Sequence, residues 1–169
     1  MPNNASSGRV LGPATVGMGL LAGLFYGYAC SVMPGLGRAE DRTLIDAMQQ
    51  INVAIENPVF FLTFLGAPLL VLWALVIEWQ SGSREVLRWI VAALVLYAIT
   101  FVVTFAFNIP LNDDLDHAGD PARIADLARV RDDFLGPWVA WNIVRTVALA
   151  ASFGCLVRAL FLHARPEVT

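Results

Sequence analysis

The chain has 169 residues, of which 57% are hydrophobic and 15% charged, with a formal net charge of −3. A soluble domain carries about 25% charged residues, so this composition excludes an ordinary soluble globule. The acidic balance also argues against nucleic acid as a partner.

The charges are segregated. None falls between Arg9 and Arg38, between Glu56 and Glu78, or between Arg88 and Asp113, and only Arg145 falls between Asp133 and Arg158. Each window approaches the ~20 apolar residues that a helix needs to cross a hydrocarbon core about 30 Å thick. The reading is an all-α fold, a four-transmembrane-helix bundle with spans near residues 14–33, 58–78, 88–108 and 136–158. A soluble helical bundle is the competing fold, but its helices would show polar faces, and these do not. The expected organisation is a disordered tail over 1–13, a single membrane domain over 14–162 and a C-terminal tail over 163–169.

In chain order, the first span is too long for a cleaved signal sequence, and its start carries one arginine. It is expected to be retained. Gly19, Gly23, Gly27, Ser31 and Gly35 recur every four residues. That spacing puts small groups on one stripe, suited to close helix packing or to a homodimer contact. Gly17, Gly19 and Ala22 match a loose dinucleotide fingerprint, which is discarded because no strand precedes it. The connection from Pro34 to Asn57 carries Leu44, Ala47, Met48, Ile51 and Ile55 at helical spacing. It is expected to lie across the mouth of the bundle. Pro58 suits a helix start, and Pro68 predicts a kink.

After the third span, Pro110 predicts that the helix ends or unwinds near Asn108. Asp120 followed by Pro121 then predicts a capped helix. The two long connections lie on one face and both termini on the other. Arginines count five against five between the faces. Their density on the short tails places the termini in the cytoplasm, of a bacterial inner membrane. Cys30 and Cys155 fall at opposite faces of the membrane in this topology, too far apart to bridge, and no CxxC pair exists.

Arg145 raises the question of chemistry, because a guanidinium in a bilayer costs from about 2.5 to well over 10 kcal/mol. Trp138, Trp141, Asn142 and Arg145 stand at i, i+3, i+4 and i+7, on one helix face. Asn108 and Asn112, at the end of the third span, approach from the same side. Two readings stay open: a polar, aromatic-lined site, or a buried polar lock between helices. Asp113, Asp114, Asp116 and His117 follow closely, but one histidine among aspartates is a poor metal set. No haem, di-iron, Walker, HExxH or nucleophile-elbow pattern is present.

The run F-Y-G-Y-x-x-S-V-M-P-G-L over Phe25–Leu36, the Q-Q-I-N of Gln49–Asn52, the F-N-I-P-L-N of Phe107–Asn112 and the W-x-x-W-N-x-x-R-T of Trp138–Thr146 together resemble the anthrone oxygenase-like membrane proteins, over residues 14–160. The resemblance implies oxidation of an apolar, anthrone-like aromatic by O2 with no cofactor. It implies Arg145, Asn142 and Asn108 as oxyanion donors with Asn112 at the mouth. Trp138 and Trp141, with Gln49 and Asn52, would hold the substrate, and Asp113, Asp114 or His117 would supply the base. The same residues fit a non-catalytic protein that binds a lipophilic small molecule or supports a partner enzyme. A transporter is the third reading, disfavoured because no inverted repeat is visible.

Overall fold

A computed structural model describes residues 4–81 and 84–164. Every regular element among them is helical. Helix α1 (Asn4–Gly27) continues through a π-helical turn (Tyr28–Val32) into α2 (Met33–Leu36); α3 (Asp41–Ile55) and α4 (Pro58–Ser81) follow. Helix α5 (Arg84–Val103) passes through a second π turn (Thr104–Asn108) into α6 (Ile109–His117), and α7 (Leu127–His163) completes the chain. Four stretches are long and apolar enough to cross a membrane: Ser7–Leu36, Pro58–Gln80, Arg84–His117 and Leu127–His163. The protein is an integral membrane protein.

Several boundaries differ from the sequence expectation. The first helix starts at Asn4, inside the segment expected to be a disordered tail; residues 1–3 and 165–169 lie outside the described residues. The third span does not end at Asn108. Proline lacks an N–H and crowds the carbonyl four residues back, and here the chain adds a residue to the turn instead of breaking. Ile109 N–H reaches Thr104 O, five residues back, immediately before Pro110. Met33 N–H reaches Tyr28 O in the same way before Pro34. Such π turns concentrate at functional positions. Asp120 caps only a turn, its Oδ1 accepting from the Ala122 N–H at 2.8 Å. The true cap of the last helix is Asp126, whose Oδ1 accepts from Arg129 N at 3.0 Å. From there α7 runs 37 residues, straight through Pro137. At Pro58 the expectation holds: Asn57 Oδ1 accepts from Val59 N and Phe60 N at 3.1 and 3.0 Å.

The molecule has two apolar cores. The larger lies within the membrane and includes Leu11, Met18, Leu21, Val71, Ile90, Leu149 and Leu156. Lipid is as apolar as these side chains, so close packing and buried hydrogen bonds hold the spans together. Ser152 Oγ donates to Ala93 O at 2.8 Å, joining α7 to α5. Tyr97 Oη donates to Phe64 O, joining α5 to α4. At the end that carries the termini, His163 Nδ1 lies 3.0 Å from the buried carboxylate of Glu78.

The expected glycine stripe is mostly not a packing face. Gly23, Gly27 and Gly35 have open space where a Cβ would stand, and Gly19 meets the Phe153 ring at 3.0 Å. A close helix approach falls at Gly17, where an added Cβ would lie 3.0 Å from Ala67 Cβ on α4. Gly17→Ala is therefore expected to lower stability by about 1–3 kcal/mol, and Gly23→Ala to leave it unchanged. Thermal unfolding in detergent reads both.

The second core is a cap over one end. Helix α3 lays Leu44, Ile45 and Met48 against Leu115 of α6 and against Phe134 and Trp138 of α7. Arg131 pins the cap, donating to Ala39 O at 3.0 Å and to Asp41 Oδ1 at 2.6 Å, and also to Gly37 O. Gln49 Nε2 donates to Leu115 O and Gly119 O at 2.9 and 3.0 Å, closing the end of α6. Helix α3 thus sits over the bundle mouth and roofs the space below it.

Candidate functional site

Beneath that roof lies a cavity of about 500 Å³. Its walls come from α1, α3, α4, the second π turn, α6 and α7. Arg145 forms its polar floor and is 5% exposed. The guanidinium is held from three sides. Nη2 donates to Asn142 Oδ1 at 3.1 Å and Nη1 to Thr104 Oγ1 at 3.4 Å. Its Cζ stands 4.4 Å from the Phe25 ring centroid and 5.5 Å from that of Trp138, so two ring faces share the charge. Among the described residues, no carboxylate lies within ion-pair distance of Arg145.

The π turn supplies the facing wall. Thr104 Oγ1 donates to Thr100 O at 2.8 Å while accepting from Arg145. Asn108 Nδ2 donates to Trp138 O at 3.3 Å, which orients its amide and leaves Oδ1 buried without a partner. Asn52 Nδ2 and Arg145 Nε are likewise buried and unpartnered. A buried polar group without a partner costs about 1–3 kcal/mol, and native proteins keep few of them. The three residues that carry them all line this one cavity. They form a set of two donors and one acceptor.

The sequence-predicted residues divide accordingly. Arg145, Asn108, Asn112, Gln49 and Asn52 line the cavity. Asn142 sits behind the floor with both amide ends committed, Nδ2 to Phe25 O at 3.3 Å and Oδ1 to Arg145. Neither Trp138 nor Trp141 lines the cavity. Trp138 points into the cap, where Nε1 donates to Asn112 Oδ1 at 2.7 Å. Trp141 stacks on Phe107, with centroids 3.8 Å apart and planes at 11°. The aromatic lining comes instead from Phe25, Phe60, Phe61, Phe64 and Phe105. Sequence reasoning missed these, because a phenylalanine facing lipid and one facing a cavity read alike. Of the acidic candidates, Asp113 lines the rim, together with Asp116 and Glu56. Asp114 borders a separate depression beside Leu111 and Phe134. His117 is exposed and lines neither. No group of three or more His, Cys, Asp or Glu side chains suited to a metal occurs among the described residues.

Fold and cavity define a class: a four-span helical membrane protein with a roofed, aromatic-walled chamber over a buried arginine. The sequence profile described as Anthrone oxygenase matches residues 56–155, more than half of the chain, and the protein belongs to that family. The matched stretch contains the second, third and most of the fourth span, and with them Asn108, Asn112, Asn142 and Arg145. No curated protein and no solved structure matches the chain.

Proposed function

We propose that the cavity binds a flat, apolar aromatic of the anthrone type and oxidises it with O2. The observation that carries this reading is the buried Arg145 with an unpartnered Nε, bordering an aromatic cavity and, among the described residues, paired with no carboxylate. A guanidinium in that state is poised for a negative charge that exists only part of the time.

An anthrone has an acidic methylene conjugated to a carbonyl. A rim carboxylate, Asp113, takes one proton from the methylene. The electron pair delocalises onto the carbonyl oxygen, which becomes phenolate-like. The Arg145 guanidinium and the Asn52 amide donate to that oxygen, and preorganised donors of this kind contribute large rate effects. Asn108 Oδ1 accepts a hydrogen bond from a ring hydroxyl. The anion is itself the reductant. It passes one electron to O2, the resulting radical and superoxide join to form a C–O bond, and protonation gives a hydroperoxide. Loss of the remaining C–H proton with cleavage of the O–O bond yields the second carbonyl and releases water. The balance is CH2 + O2 → C=O + H2O, so the chemistry needs no cofactor. Asn142 holds the guanidinium in place and does not touch substrate.

The test is turnover of anthrone by the purified, metal-stripped protein under 18O2. The expected product is anthraquinone carrying one 18O at the new carbonyl, formed faster than the spontaneous reaction. Formation at the spontaneous rate contradicts the catalytic reading. Asp113→Asn should slow turnover by about 10²-fold, whereas Asp114→Asn, bordering the other depression, should not. A second reading, non-catalytic binding of a lipophile, is favoured by the exposure of every rim carboxylate, and it predicts saturable binding with no turnover.

A further inference from the structure

We propose that this cavity loads sideways from the bilayer, through a slot between the first turns of α4 and the π turn on the third span, and therefore takes a neutral, membrane-dissolved lipophile. The inference rests on the ligand-cavity reading above and adds the route and the charge state of the ligand.

Three apolar cavity-lining side chains on α4 and the π turn are also on the outer surface of the molecule. Phe61 is 45% exposed, Leu65 46% and Phe105 52%. A residue that both lines a chamber and is half exposed forms a wall one side chain thick, where a side-chain movement opens a passage. Leu65 stands seven residues into α4, about 10 Å below its start at the helical rise. Phe105 stands a similar depth, about 12 Å, below Asp113. The opening is therefore within the hydrocarbon layer and not in the aqueous rim. Around it the seam between the two helices is aromatic: Phe64 stacks on Phe101 at 6.1 Å, and Phe101 meets Phe105 at 4.5 Å. Ring contacts of this kind slide at little cost, which suits passage of a flat molecule.

The aqueous side has the opposite character. Helix α3 roofs it, and Glu56, Asp113 and Asp116 place three carboxylates on its rim. An anion approaching from water meets like charge before it reaches Arg145. A neutral ligand arriving through the slot meets only apolar side chains, and acquires charge at the floor. Loading and ionisation are thereby separated in space.

The test uses protein in lipid nanodiscs with Cys30→Ser and Cys155→Ala in the background. A nitroxide is placed at Phe61→Cys or Phe105→Cys, and O2 is expected to relax it several-fold more than a water-soluble nickel chelate. The reverse order overturns the slot without reference to any ligand. Leu65→Trp narrows the opening. It should slow both association and dissociation of anthraquinone, followed by fluorescence quenching, by about tenfold, because entry and exit use the same opening. Unchanged rates overturn the proposal. Absence of saturable anthraquinone binding by the wild type overturns the cavity reading instead, so the two failures are distinct.

Discussion

Arg145→Met is expected to abolish O2-dependent anthrone turnover, by about 10²–10³-fold, while leaving the protein no less stable than the wild type. The two halves of this result belong together. Arg145 lies in a 37-residue membrane helix, with no carboxylate among the described residues to offset it. Its two hydrogen bonds, to Asn142 and Thr104, are long at 3.1 and 3.4 Å. A lock between helices should show the opposite signature. Its removal would lower the unfolding temperature first, and activity only as a consequence. Methionine keeps most of the volume, so no large cavity opens. Arg145→Lys keeps the charge but loses the planar fork and its fit against the two rings, so it should recover only part of the rate. Unfolding temperature in detergent and O2 uptake, measured on the same preparations, separate the readings.

Trp138→Ala is expected to be the most destabilising single change in the cap, at about 3–5 kcal/mol. Trp138 is 4% exposed and lies between Tyr28, at 5.8 Å, and Phe134, at 6.1 Å. Its indole N–H also holds Asn112, and its carbonyl holds Asn108. One residue thus supports the roof and fixes two residues of the cavity wall. Trp138→Phe keeps the ring packing and removes only the N–H, so it should cost about 1 kcal/mol. Thermal unfolding should rank wild type, Phe and Ala in that order with a wide gap before Ala. Equal effects of the two substitutions would contradict a packing role.

These two residues also show how far the sequence reaches. The four spans were legible because charge is expelled from them, and lipid enforces that rule strictly. The extra length of the last span was not, because the helix expected from Pro121 was read apart from the span expected at 136, whereas Arg129, Arg131 and Asp133 occupy the first turns of one continuous α7. The spacing of Trp138, Trp141, Asn142 and Arg145 correctly placed them on one side of a helix. Spacing gives the direction of a Cα–Cβ bond but not the path of a long side chain. Trp138 therefore turns up into the cap and Trp141 out onto Phe107, while only Arg145 lines the chamber. Pro110 was read as a point where the helix ends or unwinds, and the chain widens there without ending. The π turn that absorbs it depends on tertiary packing and carries no residue signature of its own. That turn also sets the direction of Asn108. Its amide was expected to donate to the ligand, but the donor end is spent on Trp138 O and the free end is an acceptor.

The most direct test of the central claim is where a diaryl ketone binds. Benzophenone resembles the expected ligand in shape and carbonyl chemistry, and on irradiation it inserts into C–H bonds beside it. In nanodiscs, followed by peptide mapping, the account predicts labels on Phe25, Phe64 and Thr104, suppressed by excess anthraquinone and absent in Arg145→Met. Labels spread over the lipid-facing side chains such as Leu62, Leu69 and Trp73, indifferent to anthraquinone and to Arg145, would contradict it.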